Sequence, residues 1–483
     1  MGIPRFPKDN DGSLEKRLIP EVLQWSIANG LLLYPPNFEI DKPCNAPTTL
    51  FPTPFPKKSF QHALALQTIY NEVYAKVAQG ASDDWLVGEI DNLAHFDPEF
   101  TGRLWGLYLK AKVQGISQKI SLGVFRSDYL LDNEKLEVKQ VEFNTVSVSF
   151  GGLSSKVCEL HKYLNDSGKY DMSSKDSFYQ QEIPVSDSDL KLAKGLAEGA
   201  KAYKTRTGKP IVAFIVQNGE RNVFDQKILE YNLLRHFGVR SVRITIQGIH
   251  ELTRLDPNDK RLYYVPTGEE IGVVYFRAGY SPSDYLSEQD WENRLTLEIS
   301  FAIKAPNLLT QLAGTKKIQQ LLTDSSVLER FTADSSSLEM LKSSFVEMYP
   351  LDDSDLGRKG KELALKQPQD FVLKPQREGG GNNIYKNDIP KFLAGIPESE
   401  WSGYILMQLI KPQPTTDNIV LRGREISREP ILSELGIFGY VVFDDSNILV
   451  NETAGWLLRS KSSSSDEGGV AAGFGCVDSV VLY

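Results

Sequence analysis

Cysteine is scarce. The three residues, Cys44, Cys158 and Cys476, are far apart and odd in number, which argues against a disulfide framework and fits a reducing compartment. Histidine is nearly as rare. The five residues, His62, His95, His161, His236 and His250, show no metal-ligand spacing, and neither H-E-x-x-H nor a paired C-x-x-C occurs, so a zinc centre is not expected. No apolar run approaches the length of a membrane-spanning helix. The opening Met1-Gly-Ile-Pro-Arg-Phe6 lacks the apolar stretch of a secretory signal and the Ser or Thr of a myristoylation signal. A net charge of −9 and the lack of a dense basic-aromatic stripe point away from nucleic acid and anionic lipid. Two nucleotide motifs are missing as well. Without G-x-x-x-x-G-K-[ST] the P-loop class is excluded, and without G-x-G-x-x-G after a strand a dinucleotide enzyme is disfavoured. The expectation is a cytoplasmic globular protein that holds any anionic ligand with a local group of cations.

At 483 residues, two or three domains are expected. Residues 35–56 carry seven prolines and read as an ordered surface connection. Helical patterns follow at 59–79 and 82–95, then strands at 120–125 and 136–143. The clearest unit is 210–246. Pro210–Val216 reads as a buried strand, Asp225–Phe237 as a helix stopped by Gly238, and Val239–Ile246 as a second strand. Such a β-α-β unit makes its strands parallel and puts ligands beyond their carboxyl ends. That edge would carry Glu220, Arg221, Asn222 and Gln226. A further strand at 271–276 would bring Arg277, Ala278, Gly279 and Tyr280 to the same edge. A helix-rich region at 286–348 and strands at 371–374, 404–410, 431–443 and 448–452 complete the reading. Cys158 and His161 share a helical face and are taken as structural, because no nucleophile signature surrounds them.

Three constellations carry chemistry. In Phe371-Val-Leu-Lys-Pro-Gln-Arg-Glu-Gly-Gly-Gly381, a strand ends in Lys374, Glu378 follows, and Gly379, Gly380 and Gly381 free backbone N–H groups to approach oxyanions. A cation, a metal ligand and bare backbone in eight residues suit a nucleoside triphosphate. In Val138–Thr145, Glu142 and Asn144 lie two apart on a strand and share a face, opposite Val141 and Phe143. Two oxygen ligands there suit Mg²⁺, with Glu378 as a third. In Leu457-Leu-Arg-Ser-Lys461, Arg459 and Lys461 likewise share a face, and the glycine/alanine loop after Glu467 could close over an anion.

These segments resemble eukaryotic-type glutathione synthetase, an ATP-grasp ligase family. The resemblance is carried by Arg126-Ser-Asp-Tyr129, Val141-Glu-Phe-Asn-Thr145, Ser147–Gly152, Glu220–Gln226, Arg277–Tyr280, Leu312-Ala-Gly-Thr-Lys-Lys317, Val372–Tyr385, Ser433–Gly439 and Leu457–Gly473. They run in family order across almost the whole chain. The resemblance implies an α/β ATP-grasp fold with an inserted parallel α/β substrate-binding domain and a glycine-rich lid, divided at 1–208, 209–314 and 315–483. It implies ligation of γ-glutamylcysteine and glycine with ATP through an acyl phosphate, Mg²⁺ as cofactor and a homodimer. An amine other than glycine, as in a homoglutathione-type enzyme, is the alternative, and an inactive nucleotide-binding relative a more remote one.

Carried onto this sequence, the metal would sit at Glu142, Asn144 and Glu378. ATP would meet Glu142, Lys316, Lys374, Gln376, Arg377, Glu378, Gly379, Gly380, Gly381, Asn382, Asn383 and Tyr385. Its further contacts would be Met407, Gln408, Leu409, Ile410, Glu434, Lys461 and Glu467. The peptide would meet Arg126, Val146, Ser147, Val148, Ser149, Glu220, Arg221, Asn222, Gln226, Arg277, Ala278, Gly279, Tyr280, Arg459, Val470 and Ala471. Catalysis would rest on Arg126, Lys316, Lys374, Gly379, Gly380 and Arg459. Two positions depart from the family pattern: Gln408 replaces a common Glu, and Glu467 an Asp.

Overall fold

A computed structural model describes residues 2–9, 11–79, 85–171, 176–378, 381–412, 416–423, 425–465, 469–470, 473 and 475–483. Its frame is a seven-stranded sheet. In spatial order the strands are Thr416–Arg422, Thr48–Thr49, Gly475–Asp478, Ile448–Ser462, Glu425–Phe443, Ser121–Leu131 and Val138–Asn144. Helices cover both faces, and the strand Glu425–Phe443 shows how. Neighbouring residues on a strand point to opposite sides. A Cβ on Gly439 would stand 2.5 Å from Asn71 on the helix Lys57–Gln79. Tyr440, next along, lies against Gly195 of the helix Ser188–Ala202. Phe143 supports the same division, since it stacks on Tyr74 of Lys57–Gln79 at 3.9 Å and leaves Glu142 and Asn144 on the other face.

A second sheet draws all its strands from residues 211–305. Ile211–Val216, Ser241–Thr245, Glu269–Phe276 and Ile303–Ala305 are mutually parallel. The helix Val223–Phe237 connects the first two, and Gly238 ends it with φ 68°. The β-α-β unit is therefore present as read, and the loops after 216 and 276 leave the same edge of the sheet. A third, four-stranded antiparallel sheet is built from Met348–Pro350, Ile405–Gln408, Phe371–Lys374 and Ile384–Tyr385. One hydrophobic core runs through the first two sheets, while the third has small cores of its own around Leu373 and Met407.

Three sequence readings need amendment. The proline-rich 35–56 segment is not a surface connection. Thr48–Thr49 pairs with two strands of the main sheet, and Thr53–Phe55 pairs with Val480–Leu482. Leu50, Phe51 and Phe55 are buried between them. Prolines mask this because they cannot donate to a ladder, yet short edge pairings tolerate them. The strands read at 431–443 and 448–452 are longer, Glu425–Phe443 and Ile448–Ser462. The helix read at 82–95 is described from Trp85 to Phe96, its first three residues lying outside the described ones.

Cys158 and His161 lie on the helix Gly151–Asp166, both fully buried. The His161 ring bonds Ser479 Oγ at 2.7 Å and the Thr49 carbonyl at 2.9 Å. It staples the helix to the C-terminal segment, a structural role. Burial pushes His161 down to about 4. The unfolded chain therefore binds its proton first on acidification, and this residue's contribution falls as pH drops from its ordinary value toward that of the fold. Relative to wild type, His161→Gln is expected to recover about 2 kcal/mol between pH 7 and pH 5, read from denaturation midpoints at the two pH values. Nearby Asp478, which burial raises, is present in both proteins and cancels in the difference.

Candidate active site

Register builds the site. Cross-strand partners point to the same face of a sheet. Asn144 pairs with Arg126 and Glu142 with Asp128, Asp128 with Gly436, and Glu434 with Arg459. Six polar side chains from four adjacent strands thus share one face at the end of the main sheet. Onto that face come Lys316, which opens the helix Lys316–Leu321, and Lys374, which ends the strand Phe371–Lys374 of the third sheet.

Lys316 lies between two carboxylates. Its Nζ donates to Glu142 Oε2 at 3.0 Å and to Glu378 at 3.1 and 3.2 Å. Lys374 Nζ donates to the Val141 carbonyl at 2.9 Å, one residue from Glu142. Arg459 pairs with Glu434 and donates to Asp128 Oδ2 at 3.0 Å. Asp128, Glu142, Glu378 and Glu434 therefore face Arg126, Lys316, Lys374 and Arg459, four acids against four cations.

The charges are unevenly shared. Burial alone would raise Glu142, but Lys316, Lys374 and Arg126 hold it well below the carboxylate range. Burial pushes Glu378 up, and the Glu142 charge adds to this against the pull of Lys316. Burial also brings Lys374 down to about 8, although Glu142 opposes it. Glu142 and Glu378 share one buried lysine, and two acids on a single cation favour a further cation between them. Among the described residues no three His, Cys, Asp or Glu side chains group as a metal cage. The donor set is instead two carboxylates and the Asn144 amide, all hard oxygen ligands. It fits Mg²⁺, which takes few protein ligands beside phosphate oxygens.

Other ATP-site expectations divide. Met407 is buried opposite Val372 and Met348, and Leu409 and Ile410 pack on that patch with Tyr385. Beside them opens a cleft of about 680 Å³, lined also by Gln408, Lys139 and Val346. It reaches none of the eight charged groups. The Gln376 amide bonds the Lys317 N–H at 3.1 Å and the Gly403 carbonyl at 3.1 Å. Arg377 pairs with Asp97. Both side chains brace the loop base, turned to protein partners. Asn383 Nδ2 donates to Tyr385 Oη at 3.3 Å, and Asn382 Nδ2 to the Glu378 carbonyl at 3.5 Å. Gly381 has φ 74°, which side-chain-bearing residues adopt at a cost. Lys461 shares the strand face of Arg459. Gly379, Gly380, Glu467 and Ala471 lie outside the described residues.

Of the residues expected to meet the peptide, Arg126, Ser147, Ser149 and Arg277 meet at one turn. Ser147 and Phe150 have φ of 54° and 71°, a conformation uncommon for such residues and held by its surroundings. Arg126 Nη1 donates to the Ser149 carbonyl at 3.5 Å, and Arg277 Nη2 to Ser149 Oγ at 2.9 Å. Ser147 Oγ donates to the Phe276 carbonyl at 3.3 Å. Val146 and Val148 are buried beneath. At the edge of the second sheet, Glu220 accepts from the Asn222 N–H at 2.8 Å and from Gln226 Nε2 at 2.7 Å, while the buried Asn222 Oδ1 has no partner. Tyr280 Oη accepts from Gln217 at 3.1 Å. Ala278 is buried, and Gly279 has φ 88° with its N–H on Asp284 at 2.8 Å. Arg221 turns away to the Tyr34 carbonyl at 3.0 Å, and Val470 is buried.

Two residues escaped the sequence reading. Asp225 caps the Gly151–Asp166 helix through Phe150, Gly152 and Leu153 N–H groups and pairs with Arg277 at 3.3 Å. No linear signal joins it to residues some 70 positions earlier. Asp128 meets Arg126, Arg459 and Asn144. Its spacing from Arg126, two apart on a strand, was the available signal.

The chain is similar to known proteins over nearly its whole length. Residues 12–482 match the family described as eukaryotic glutathione synthase, ATP binding domain. The glutathione synthetase large chain of Schizosaccharomyces pombe is 40% identical over 461 residues, 90% of this chain and 91% of its own. The glutathione synthetase of Dictyostelium discoideum is 38% identical over 480 residues, covering 95% and 97%. That of Homo sapiens is 37% identical over 441 residues, covering 90% and 89%. Among solved structures, a glutathione synthetase-like effector of Globodera pallida in apo form superposes over 100% of both chains with TM-score 0.76 and 20% identity, which supports the fold. The protein is an ATP-dependent ligase. It belongs to the eukaryotic glutathione synthase family.

Proposed function

We propose that this chain joins γ-glutamylcysteine to glycine with ATP and Mg²⁺, releasing ADP and phosphate, in an ATP-grasp site that closes between the main and third sheets. The observation that carries the reading is Lys316, seated between Glu142 and Glu378 with Lys374 alongside. Two lysines and two carboxylates, brought together from the main sheet, a helix start and the third sheet with the loop after it, are what a triphosphate with its metal requires. Met407 to Ile410 would hold the base, and the 376–383 loop with Lys461 would close over the phosphates. A homodimer, implied by the family resemblance, and a cytoplasmic location, which the three scattered cysteines fit, are part of the same proposal.

The reaction needs no protein nucleophile. A cysteinyl carboxylate oxygen attacks the γ-phosphorus, the bond to ADP breaks, and an acyl phosphate forms. The glycine amine attacks the acyl carbon, phosphate leaves with that oxygen, and the nitrogen loses a proton. Mg²⁺, when bound at Glu142, Asn144 and Glu378, would offset the repulsion between the two anions. Lys316 and Lys374 hold the transferring group and spread its charge, and Arg126 and Arg459 orient the attacking carboxylate. The glycine-rich loop supplies N–H groups and keeps water from the acyl phosphate.

Purified protein with ATP, Mg²⁺ and γ-glutamylcysteine is to be assayed against glycine, alanine, serine and β-alanine. ADP release that requires the dipeptide and prefers glycine is expected. Release with β-alanine or serine ahead of glycine would reassign the amine, and release independent of any amine would overturn the ligase reading. For the dipeptide, Arg277 is placed to orient the γ-glutamyl end with Ser149. Arg277→Lys loses the planar fork and is expected to weaken dipeptide affinity by about 1–3 kcal/mol, with ATP affinity within about threefold. Separate titrations of the two ligands check this. An effect confined to ATP would show that the second sheet serves the other substrate.

A further inference from the structure

Asp128 is completely buried, and three side chains of the site meet on it. Its Oδ1 accepts from Arg126 Nε at 2.6 Å. Its Oδ2 accepts from Arg126 Nη2 at 2.7 Å, Arg459 Nη2 at 3.0 Å and Asn144 Nδ2 at 3.1 Å. These donors come from three strands, one of them Asp128's own, so one carboxylate ties together groups that distant stretches of sequence deliver. The backbone makes room for it at Gly436. On one flank Asp128 faces Glu142 and Tyr129 faces Gln140, so the extra residue of the bulge, Val141, lies on the neighbouring strand Val138–Asn144. On the other flank Asp128 faces Gly436. A Cβ at Gly436 would stand 2.8 Å from Asp128 Oδ1 and 3.0 Å from Arg126 Cδ. The glycine thus clears the space in which the Arg126–Asp128 pair lies flat across the strand.

We propose that Asp128 is the positioning residue of this active site. It fixes the planes of the Arg126 and Arg459 guanidinium groups and turns the Asn144 amide so that its nitrogen faces the carboxylate and its oxygen faces the cation. It acts through those residues and does not touch the reacting atoms. A bidentate carboxylate suits this task because it sets both the direction and the plane of a guanidinium, and full burial removes the water that would let the arginine reorient. The proposal rests on the reading of Arg126 and Arg459 as peptide contacts and of Asn144 as a metal ligand.

The full-length protein is to be compared as wild type, Asp128→Asn, Gly436→Ala and Arg126→Lys. Dipeptide and ATP binding are measured by calorimetry, and the Mg²⁺ concentration for half-maximal rate and the melting temperature are measured alongside. Asp128→Asn puts an NH₂ against arginine donors. It is expected to weaken dipeptide binding by about tenfold or more and to raise the Mg²⁺ requirement, with ATP binding within about threefold. A purely structural acid would lower the melting temperature and the folded fraction and leave the binding constants of the folded protein alone. Dipeptide affinity and Mg²⁺ requirement both within about twofold of wild type, per folded molecule, would overturn the proposal whatever happens to melting. Gly436→Ala keeps every charge and displaces the pair. The same split, about threefold in the dipeptide, is expected, and this variant decides the matter if Asp128→Asn does not fold: unchanged dipeptide binding then overturns the proposal. Arg126→Lys separates the levels. If it binds dipeptide like wild type, the peptide reading of Arg126 fails and the proposal with it. If it binds weakly while the Asp128 and Gly436 variants bind normally, the positioning role alone fails.

Discussion

Glu378→Gln and Glu142→Gln are each expected to lower turnover by more than about tenfold at saturating Mg²⁺, because each removes a charged metal ligand at the phosphoryl-transfer step. Folding should be little affected. In the structure Lys316 bonds both carboxylates, so either variant leaves it one charged partner. Lys316, Lys374 and Arg126 favour the ionised form of Glu142 against its burial, and burial raises Glu378. Steady-state rates over a Mg²⁺ series, with melting temperatures, check both statements. Near-wild-type turnover in both variants would remove the metal assignment.

Lys316→Met is expected to lower turnover by about 100-fold or more, the scale of losing one preorganised charge stabiliser in a dry site. Its second signature runs the other way. With the lysine gone, Glu142 and Glu378 face one another without the cation that now separates them, and like charges in a shared buried site attract a metal more strongly. Apparent Mg²⁺ affinity should therefore rise while turnover falls. A simple misfolding variant would lose both. Mg²⁺ titrations of the rate and of melting temperature distinguish the two results, and a fall in Mg²⁺ affinity would mean that Lys316 helps hold the metal rather than standing in for its charge.

Much of the architecture was legible wherever one local rule decided it. The 210–246 unit announced itself through a continuous apolar strand, a helical apolar spacing and Gly238, and the strand at 371–374 ended at the proline after Lys374 as read. Glu142 and Asn144 share a face because alternation holds across Glu142–Asn144, past the register shift at Val141. What stayed hidden depended on partners remote in sequence. The 48–55 segment looks like a loop until the chain's last strands arrive to pair with it. Asp225 acquires its role from the N–H groups of residues 150–153, and Gly436 looks permissive until Arg126 and Asp128 are laid across it. Gln376 and Arg377 show the reverse. Their motif reads as part of a nucleotide-binding loop, but their side chains brace it against Lys317, Gly403 and Asp97, partners that no spacing rule contains.

The central claim is that the peptide carboxylate itself attacks ATP and that a charge-balanced site, rather than a protein nucleophile, carries the reaction. Oxygen transfer tests it most directly. γ-Glutamylcysteine labelled with ¹⁸O in the cysteinyl carboxylate is turned over with ATP, Mg²⁺ and glycine, and the released phosphate is analysed by mass. The account predicts one ¹⁸O in the phosphate for each tripeptide formed, because the oxygen that attacks the γ-phosphorus departs with it. Phosphate free of label, with tripeptide still being made, would contradict the acyl phosphate and the role given to this site.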